Sequence, residues 1–380
     1  MERTTALVLW WIGLAASAAL AGSAAGAGEN QAVTTFVYPC RSVATPIRVD
    51  GKLDEPAWSG FAPPPAARDT RSQWSQAVEV SGFTFSGKGL LASEQMVMRL
   101  LYDRENLYLG VKCNESKMNG LVAAVRFHDG NVWNDDCIEL FLDPTHDHET
   151  YYQFAVNSLG AQYDARGFDR MWNCQWQAAA SLGQDAWYVE VAIPFAAFGL
   201  STPAPDSLWG LNLNRERNAG GSLELYNWAD VQANFHNPGL FGHLWFVDQW
   251  PPTESSLAAA GRRAGGAASR VYVADGYYEV KQGEKPQAFA YRGLIELQRG
   301  AIGGRLQELG RIYDARPEMA LKDQFDQLTS RYESIKALAT GDRAVSAEES
   351  AGANAFLHDM EGAVNDIYWR VRVKLLLETF

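Results

Sequence analysis

The chain reads as a mainly β protein, a two-sheet antiparallel β-sandwich followed by a C-terminal α-helical hairpin or bundle. Three observations predict this. From Thr35 to Asp248 short apolar stretches are separated by Gly, Pro, Asn and Asp, and no helical period fills the intervals. Beyond about residue 290 apolar residues recur at helical spacing instead. Between the two lies an Ala-, Gly- and Ser-rich stretch from Pro251 to Ser269, which suits an exposed linker.

The order of elements starts at an N-terminal segment where Arg3 precedes an apolar run from Ala6 to Leu20 that closes on Ala25, Gly26 and Ala27. That layout is a cleaved secretory signal, so residues 1–27 are excluded from the fold and the mature chain is expected outside the cytoplasm, secreted or periplasmic. The strand-rich part is placed at residues 35–248. Met96 to Leu101 and Leu107 to Val111 are two strands joined by Asp103, Arg104, Glu105 and Asn106, which is hairpin chemistry. Cys137 to Leu142, Tyr151 to Asn157, Trp187 to Ile193 and Trp209 to Asn214 have the same character. A parallel α/β sheet would need crossover helices, and the sequence has none here.

Residues 249–271 are read as the linker and 272–380 as the helical tail. Leu321, Phe325, Leu328, Tyr332 and Ile335 form a narrow apolar seam, and Phe356, Met360, Ala363, Ile367 and Val371 repeat it. A more Gly-interrupted stretch from Tyr291 to Tyr313 adds a third helix. Such seams suit self-association or protein docking through the C-terminal helices. The plainer reading is an appendage packed on its own sandwich.

A net charge of −12 argues against nucleic acid, which needs a basic groove that the sequence lacks. Cys40, Cys113, Cys137 and Cys174 are an even set for an oxidising compartment. Four cysteines allow three pairings. Cys113 with Cys137 is the favoured one, and four small buried side chains is the alternative.

Chemistry concentrates between Val132 and Pro144. On a strand beginning near Asp136, period two puts Cys137, Glu139 and Phe141 on one face and Ile138, Leu140 and Leu142, the core set, on the other. A sealed face would not tolerate an unpaired carboxylate, so Glu139 is expected in an open cleft or against a basic partner. Trp133 just ahead offers a flat ring for stacking. An aromatic platform beside a hydrogen-bonding acid is what glycan recognition needs. Trp172 and Trp176 share a strand face and are read as core.

Ile47-Arg48-Val49-Asp50-Gly51-Lys52-Leu53-Asp54-Glu55-Pro56-Ala57-Trp58, then Leu101-Tyr102-Asp103 with Glu105-Asn106-Leu107-Tyr108-Leu109, then Trp133 to Asp143, follow one another in order. Tyr152 to Asn157, Gly160, Trp187 to Phe195 and Phe241-Gly242-His243-Leu244 continue the series. The set, over about Val43 to Asp248, resembles the family 9 carbohydrate-binding modules and leaves the helical tail outside. The resemblance implies a sandwich of two antiparallel sheets that holds sugars between two aromatic rings, often with structural calcium. It assigns Trp133 and Phe235 as the rings and Glu139 and Gln232 as polar contacts. Phe235 stands where the sugar binders have Trp, and Ala155 where they have Arg, which removes a fixed fork of donors.

The resulting expectation is non-catalytic binding of a saccharide or polysaccharide by an exported module in polysaccharide or glycan catabolism. No cofactor is assigned from the residues. Asp129, Asp135, Asp143 and Asp147 with His146 and His148 could offer ligands to calcium, against a plainer reading as acidic turns. A hydrolase acting on O-glycosyl bonds needs two carboxyls roughly 5 to 9.5 Å apart. Asp136 and Glu139 point to opposite faces, while Asp135 and Glu139 are about 13 Å apart along a strand. Two further alternatives are a haem-binding relative using Met96, Met98, Lys112 or Met118, and a scaffold that meets a protein partner.

Overall fold

A computed structural model describes residues 34–54, 77–232 and 234–378. The expected signal at residues 1–27, and Glu55 to Trp58 of the opening motif, lie outside the described residues. In chain order the elements are β1 (Thr34–Ser42), β2 (Thr84–Phe85), β3 (Met96–Tyr102), β4 (Asn106–Asn114), β5 (Cys137–Asp143), β6 (Tyr152–Asn157) and β7 (Gln162–Arg166). There follow β8 (Gln177–Leu182), β9 (Ala186–Pro194), β10 (Leu208–Arg217), β11 (Glu224–Asn227), β12 (Gly242–Val247), α1 (Glu254–Ala264) and β13 (Ala268–Val273). The chain ends in β14 (Gly276–Lys281), β15 (Gln287–Ala290), α2 (Tyr291–Ala315), α3 (Lys322–Thr340) and α4 (Ala347–Leu377).

The fold is mostly β with a helical C-terminal region, but hydrogen bonds join the strands into one sheet where two were expected. The path runs β7-β6-β5-β10-β12-β1-β3-β4-β9-β8. The joint is β1. Its residues Val37 to Arg41 pair in parallel with β12, and Arg41 and Ser42 pass over to pair in parallel with β3. These parallel pairs depart from the all-antiparallel expectation. Buried Tyr38 fixes the joint, its hydroxyl donating to the Val78 carbonyl at 2.6 Å and accepting from the Leu100 N–H at 2.7 Å.

Local rules explain the strands the sequence displays. The β3–β4 hairpin closes because Asp103 Oδ1 accepts from the N–H groups of Glu105 and Asn106, each at 2.8 Å. Ile138, Leu140 and Leu142 enter the main core with Leu211, Leu213, Phe154 and Trp187. Trp176 joins that core and Trp172 packs against it. Below β10, Glu115 takes Arg215 at 2.9 Å and Arg217 at 2.7 Å, all nearly sealed from solvent. This ionic knot pins the end of β4 to β10.

The segment expected as a linker is instead structured. Thr253 caps α1 by accepting from the Ser256 N–H at 3.1 Å, and β13 adds to β1 in parallel. The small residues that suggest flexibility serve close approach. Leu257 and Ala260 pack on Val37, Trp245, Val271 and Val280, and a Cβ at Gly261 would meet the Val280 side chain at 2.6 Å. Likewise β14 and β15 precede the helices within 272–380. Beyond them α2, α3 and α4 share a second core that includes Phe325, Tyr332, Met360, Ile367 and Val371. The tail is tied to the sheet at the start of α4, where Glu348 accepts from Lys112 Nζ at 2.7 Å and Asn114 Nδ2 at 2.8 Å. All four cysteines are free thiols, so Cys113 and Cys137 are not paired.

Candidate functional site

The face of β5 opposite the core borders a cleft of about 380 Å³ lined by Trp133, Glu139, Gln153, Tyr163, Gly167, Phe168, Arg170, Glu216, Leu225, Asn234, Phe235 and His236. Trp133, Glu139 and Phe235 therefore meet at one place. Gln232 is not among the lining residues. Its backbone is committed elsewhere, its N–H donating to Asp230 Oδ1 at 2.9 Å and its carbonyl accepting from Ser86 Oγ.

Trp133 sits on a single 3-10 turn, Val132–Asn134. The turn is held by Asp135, which accepts from the N–H groups of Ala124 and Val125 and from Asn157 Nδ2. Its neighbour Asp136 accepts from Val122, Asn218 and Ala219 in the same way. The two acids are loop anchors, occupied by backbone donors. The Trp133 ring meets Tyr163 edge-on at 5.0 Å, and the Arg170 guanidinium lies over both rings, 5.2 and 5.5 Å from their centres.

Phe235 is only 7% exposed and packs among Phe141, Tyr151, Val231 and Phe241. As the wall of a sandwiching slot it is therefore displaced, because its apolar neighbours claim the ring. The exposed ring of the cleft is Phe168, 77% accessible and stacked on His236 at 4.6 Å. Burial lowers the His236 pKa, and its Nδ1 lies 2.8 Å from the Tyr151 hydroxyl. Only the turn signal of Gly167 beside Phe168 and Asp169 could have marked this ring in the sequence.

At the floor, strand register assembles a group that the sequence leaves scattered. Glu139 stands opposite Asn214 on β10 and Ala155 on β6, and Glu216 stands opposite Cys137. Directly opposed residues share a face, so Cys137, Glu139, Asn214 and Glu216 all point toward the cleft side. Glu139 is 3% exposed and accepts from Gln153 Nε2. Oxygens of Glu139 and Glu216 and the Cys137 sulfur lie within 4.8 Å of one another. Burial raises the Glu139 pKa, while burial, the Glu139 charge and the hydrogen bond between the two push Glu216 up to about 9. The pair thus holds a proton at neutral pH. The expectation that Glu139 faces either a cleft or a basic partner resolves as the cleft. Glu216 was missed because the strand was ended at Asn214, although Asn212, Asn214 and Glu216 at period two are a legible polar face.

Of the acids weighed for calcium, Asp135, Asp143 and Asp147 are engaged by donors of the protein itself. Asp143 accepts from Thr145 Oγ1 and the His148 N–H, and Asp147 accepts from the N–H groups of Glu149 and Thr150. Those Thr150 and Glu149 hydrogen bonds hold Asp147 down to about 2. Asp164, grouped with His128 and Asp129, already takes Trp176 Nε1, the Cys174 N–H and His128 Nε2. Of the haem candidates, Met96 and Met98 lie in the core, Met118 is partly buried against it, and Lys112 pairs with Glu348.

One sheet thus carries aromatic and carboxyl side chains into a single cleft. The profile described as "Carbohydrate family 9 binding domain-like" matches residues 49–249, more than half of the 380 residues, and the chain belongs to that family. Endo-1,4-beta-xylanase A of Thermotoga neapolitana is 25% identical over 182 residues, 46% of this chain, and that of Thermoanaerobacterium saccharolyticum is 25% identical over 229 residues, 57% of this chain. The match spans 16% of each xylanase. Two solved structures of a family 9 carbohydrate binding module from Caldicellulosiruptor kristjanssonii, in complex with cellotriose and with glucose, are similar at TM-scores of 0.40 and 0.38 and 16% identity. They cover 57% and 58% of this chain and 96% and 98% of their own.

Proposed function

We propose that the chain is an exported, non-catalytic module that binds a saccharide in the cleft between Trp133 and Phe168, in the service of glycan breakdown. The observation that carries this reading is the convergence of the Trp133 ring and the Glu139 carboxyl on one cleft in a member of a carbohydrate-binding family. Trp133 would take the C–H face of a sugar ring, while Glu139 and Gln153 exchange hydrogen bonds with its hydroxyls. Phe235 supports the wall from behind. Glycosidic cleavage is disfavoured because Glu139 and Glu216 are hydrogen-bonded to each other, closer than either arrangement of a glycosidase pair. The strand-rich part, with residues 35–248 as its binding unit, would be carried by the helical tail, whose exposed Trp369, Val373, Leu376 and Leu377 favour self-association or docking on another protein.

Calorimetric titration of the full chain with a panel of mono- and oligosaccharides tests the reading, beside Trp133→Ala and Glu139→Ala. Saturable binding weakened at least about tenfold in Trp133→Ala is expected, as for a stacking anchor. Absence of binding to every sugar by folded protein refutes it.

A further inference from the structure

We infer that the saccharide suited to this cleft carries a positive charge: an amino sugar whose ammonium group rests on Glu139 and Glu216. The inference deepens the saccharide reading and rests on it.

Two carboxyls in contact are an unusual floor for a cleft. Elsewhere among the described residues buried acids meet donors: Glu115 takes Arg215 and Arg217, and Asp135 and Asp136 take backbone N–H groups. Among the described residues no basic side chain acts on Glu139 or Glu216. On the β6 side Glu139 stands opposite the methyl group of Ala155 and accepts from Gln153 Nε2, and on the β10 side it has Asn214. Asn214, directly opposite Glu139 on the same face, is wholly buried behind the cleft lining, and its Nδ2 has no hydrogen-bond partner among the described residues. The one guanidinium lining the cleft, Arg170, already covers Trp133 and Tyr163 and donates to Asn131 Oδ1 at 3.0 Å. His236 is kept neutral by burial, and the Cys137 thiol is raised well above its ordinary value by burial.

With the cleft empty, the pair satisfies itself by sharing a proton. A sugar ammonium brings three donors and a full charge. It can bridge both carboxylates, and the shared proton then leaves to solvent. Atoms balance: one ammonium enters, up to one proton passes from the carboxyl O–H to water or buffer, and no other covalent bond changes. A neutral hydroxyl can replace one hydrogen bond but leaves the carboxyl charge uncompensated. The excess of acids over bases, −12 over the chain, also favours the approach of a cationic polymer.

The test is calorimetry on the full chain near neutral pH, with EDTA present so that no metal ion contributes. The probes are an unacetylated glucosamine trimer, the corresponding N-acetylglucosamine trimer, and cellotriose. Charge-assisted hydrogen bonds predict that the unacetylated trimer binds about tenfold tighter or more than either neutral trimer. Repeating the titration in buffers of different ionisation enthalpy should show release of a substantial fraction of one proton for that trimer alone. Glu216→Gln should bring the ratio of affinities down to about one, with its melting transition showing that it is folded. Should the variant fail to fold, proton release by the native chain still decides.

Equal or tighter binding of a neutral trimer, lost in Trp133→Ala, overturns the amino-sugar inference and leaves the saccharide reading standing. Binding of none of the three, and of no sugar in the wider panel, overturns both.

Discussion

Replacing Glu216 by Gln should stabilise the protein, and by more as the pH rises. Glu216 has an ordinary value of 4.5 and is pushed up to about 9 in the fold, first by burial and then by Glu139. A raised carboxyl favours its protonated form when folded, so between these two values the folded state binds more protons than the unfolded one. Stability then falls as pH rises from the unfolded value through the folded one. One titrating group loses about 1.4 kcal/mol per pH unit in that window, so an interval from about pH 5 to about pH 8 sets a ceiling of roughly 4 kcal/mol. Partial solvent access at Glu216 and sharing of the titration with Glu139 bring the expected change to about 2 kcal/mol. Gln keeps the shape and a donor for Glu139 but cannot ionise. The assay is urea unfolding of both proteins near the two ends of that interval, taking the native chain minus the variant so that titrating groups outside the Glu139–Glu216 pair cancel. A difference that stays constant within about 0.5 kcal/mol across the interval would refute the shared-proton pair.

Two further outcomes test the frame around the site. Glu115→Gln leaves the Arg215 guanidinium buried without its counter-charge, while Arg217 keeps Glu224 at 2.7 Å, and should cost about 3–5 kcal/mol in denaturant unfolding; a loss under about 1 kcal/mol would show that this knot does not hold β10 in place. Gly261→Leu drives a side chain into Val280 beneath α1 and should cost about 1–3 kcal/mol. Proteolysis should then open the chain first between Pro251 and Ala264, and cleavage elsewhere first would count against α1 as a packed element.

What was legible followed from local rules. Ile138, Leu140 and Leu142 declare a core face by alternation alone, Asp103 declares its hairpin, and Phe325 with Tyr332 declares a helical seam. What was not legible depended on pairing between distant strands. Nothing near Arg41 says that β1 will bridge β12 and β3, since that requires knowing both partners. Ala258, Ala260, Gly261 and Ala264 misled because small residues mark both a loose linker and a helix that must lie close on a sheet. Thr253 ahead of Glu254 was the signal that separates the two, a cap before a run of helix formers. At the site, Trp133 and Glu139 stood out because they fall in one short segment. Phe168 and Glu216 did not, because only the sheet brings them there.

The two faces of β5 and β10 obey opposite rules, and the contrast bears on function. On the face toward the core, Leu211 and Leu213 pack on Ile138 and Leu140, and where Arg215 and Arg217 continue that row they are matched by Glu115. Every charge there has its partner. On the other face of the same strands, Glu139 and Glu216 confront each other and Asn214 Nδ2 is unpaired. A sequence that resolves buried charge so completely at Glu115 has the means to resolve it at Glu139, for example with a basic residue at Ala155, the next position across the sheet. Local conflicts of this kind concentrate where a fold meets its ligand, since the groups left unsatisfied are the ones a ligand can satisfy. The conflict lies at the floor of the cleft that Trp133 and Phe168 line, and the outward polar row of β10 is therefore the part of this chain where changes in ligand preference should be sought first.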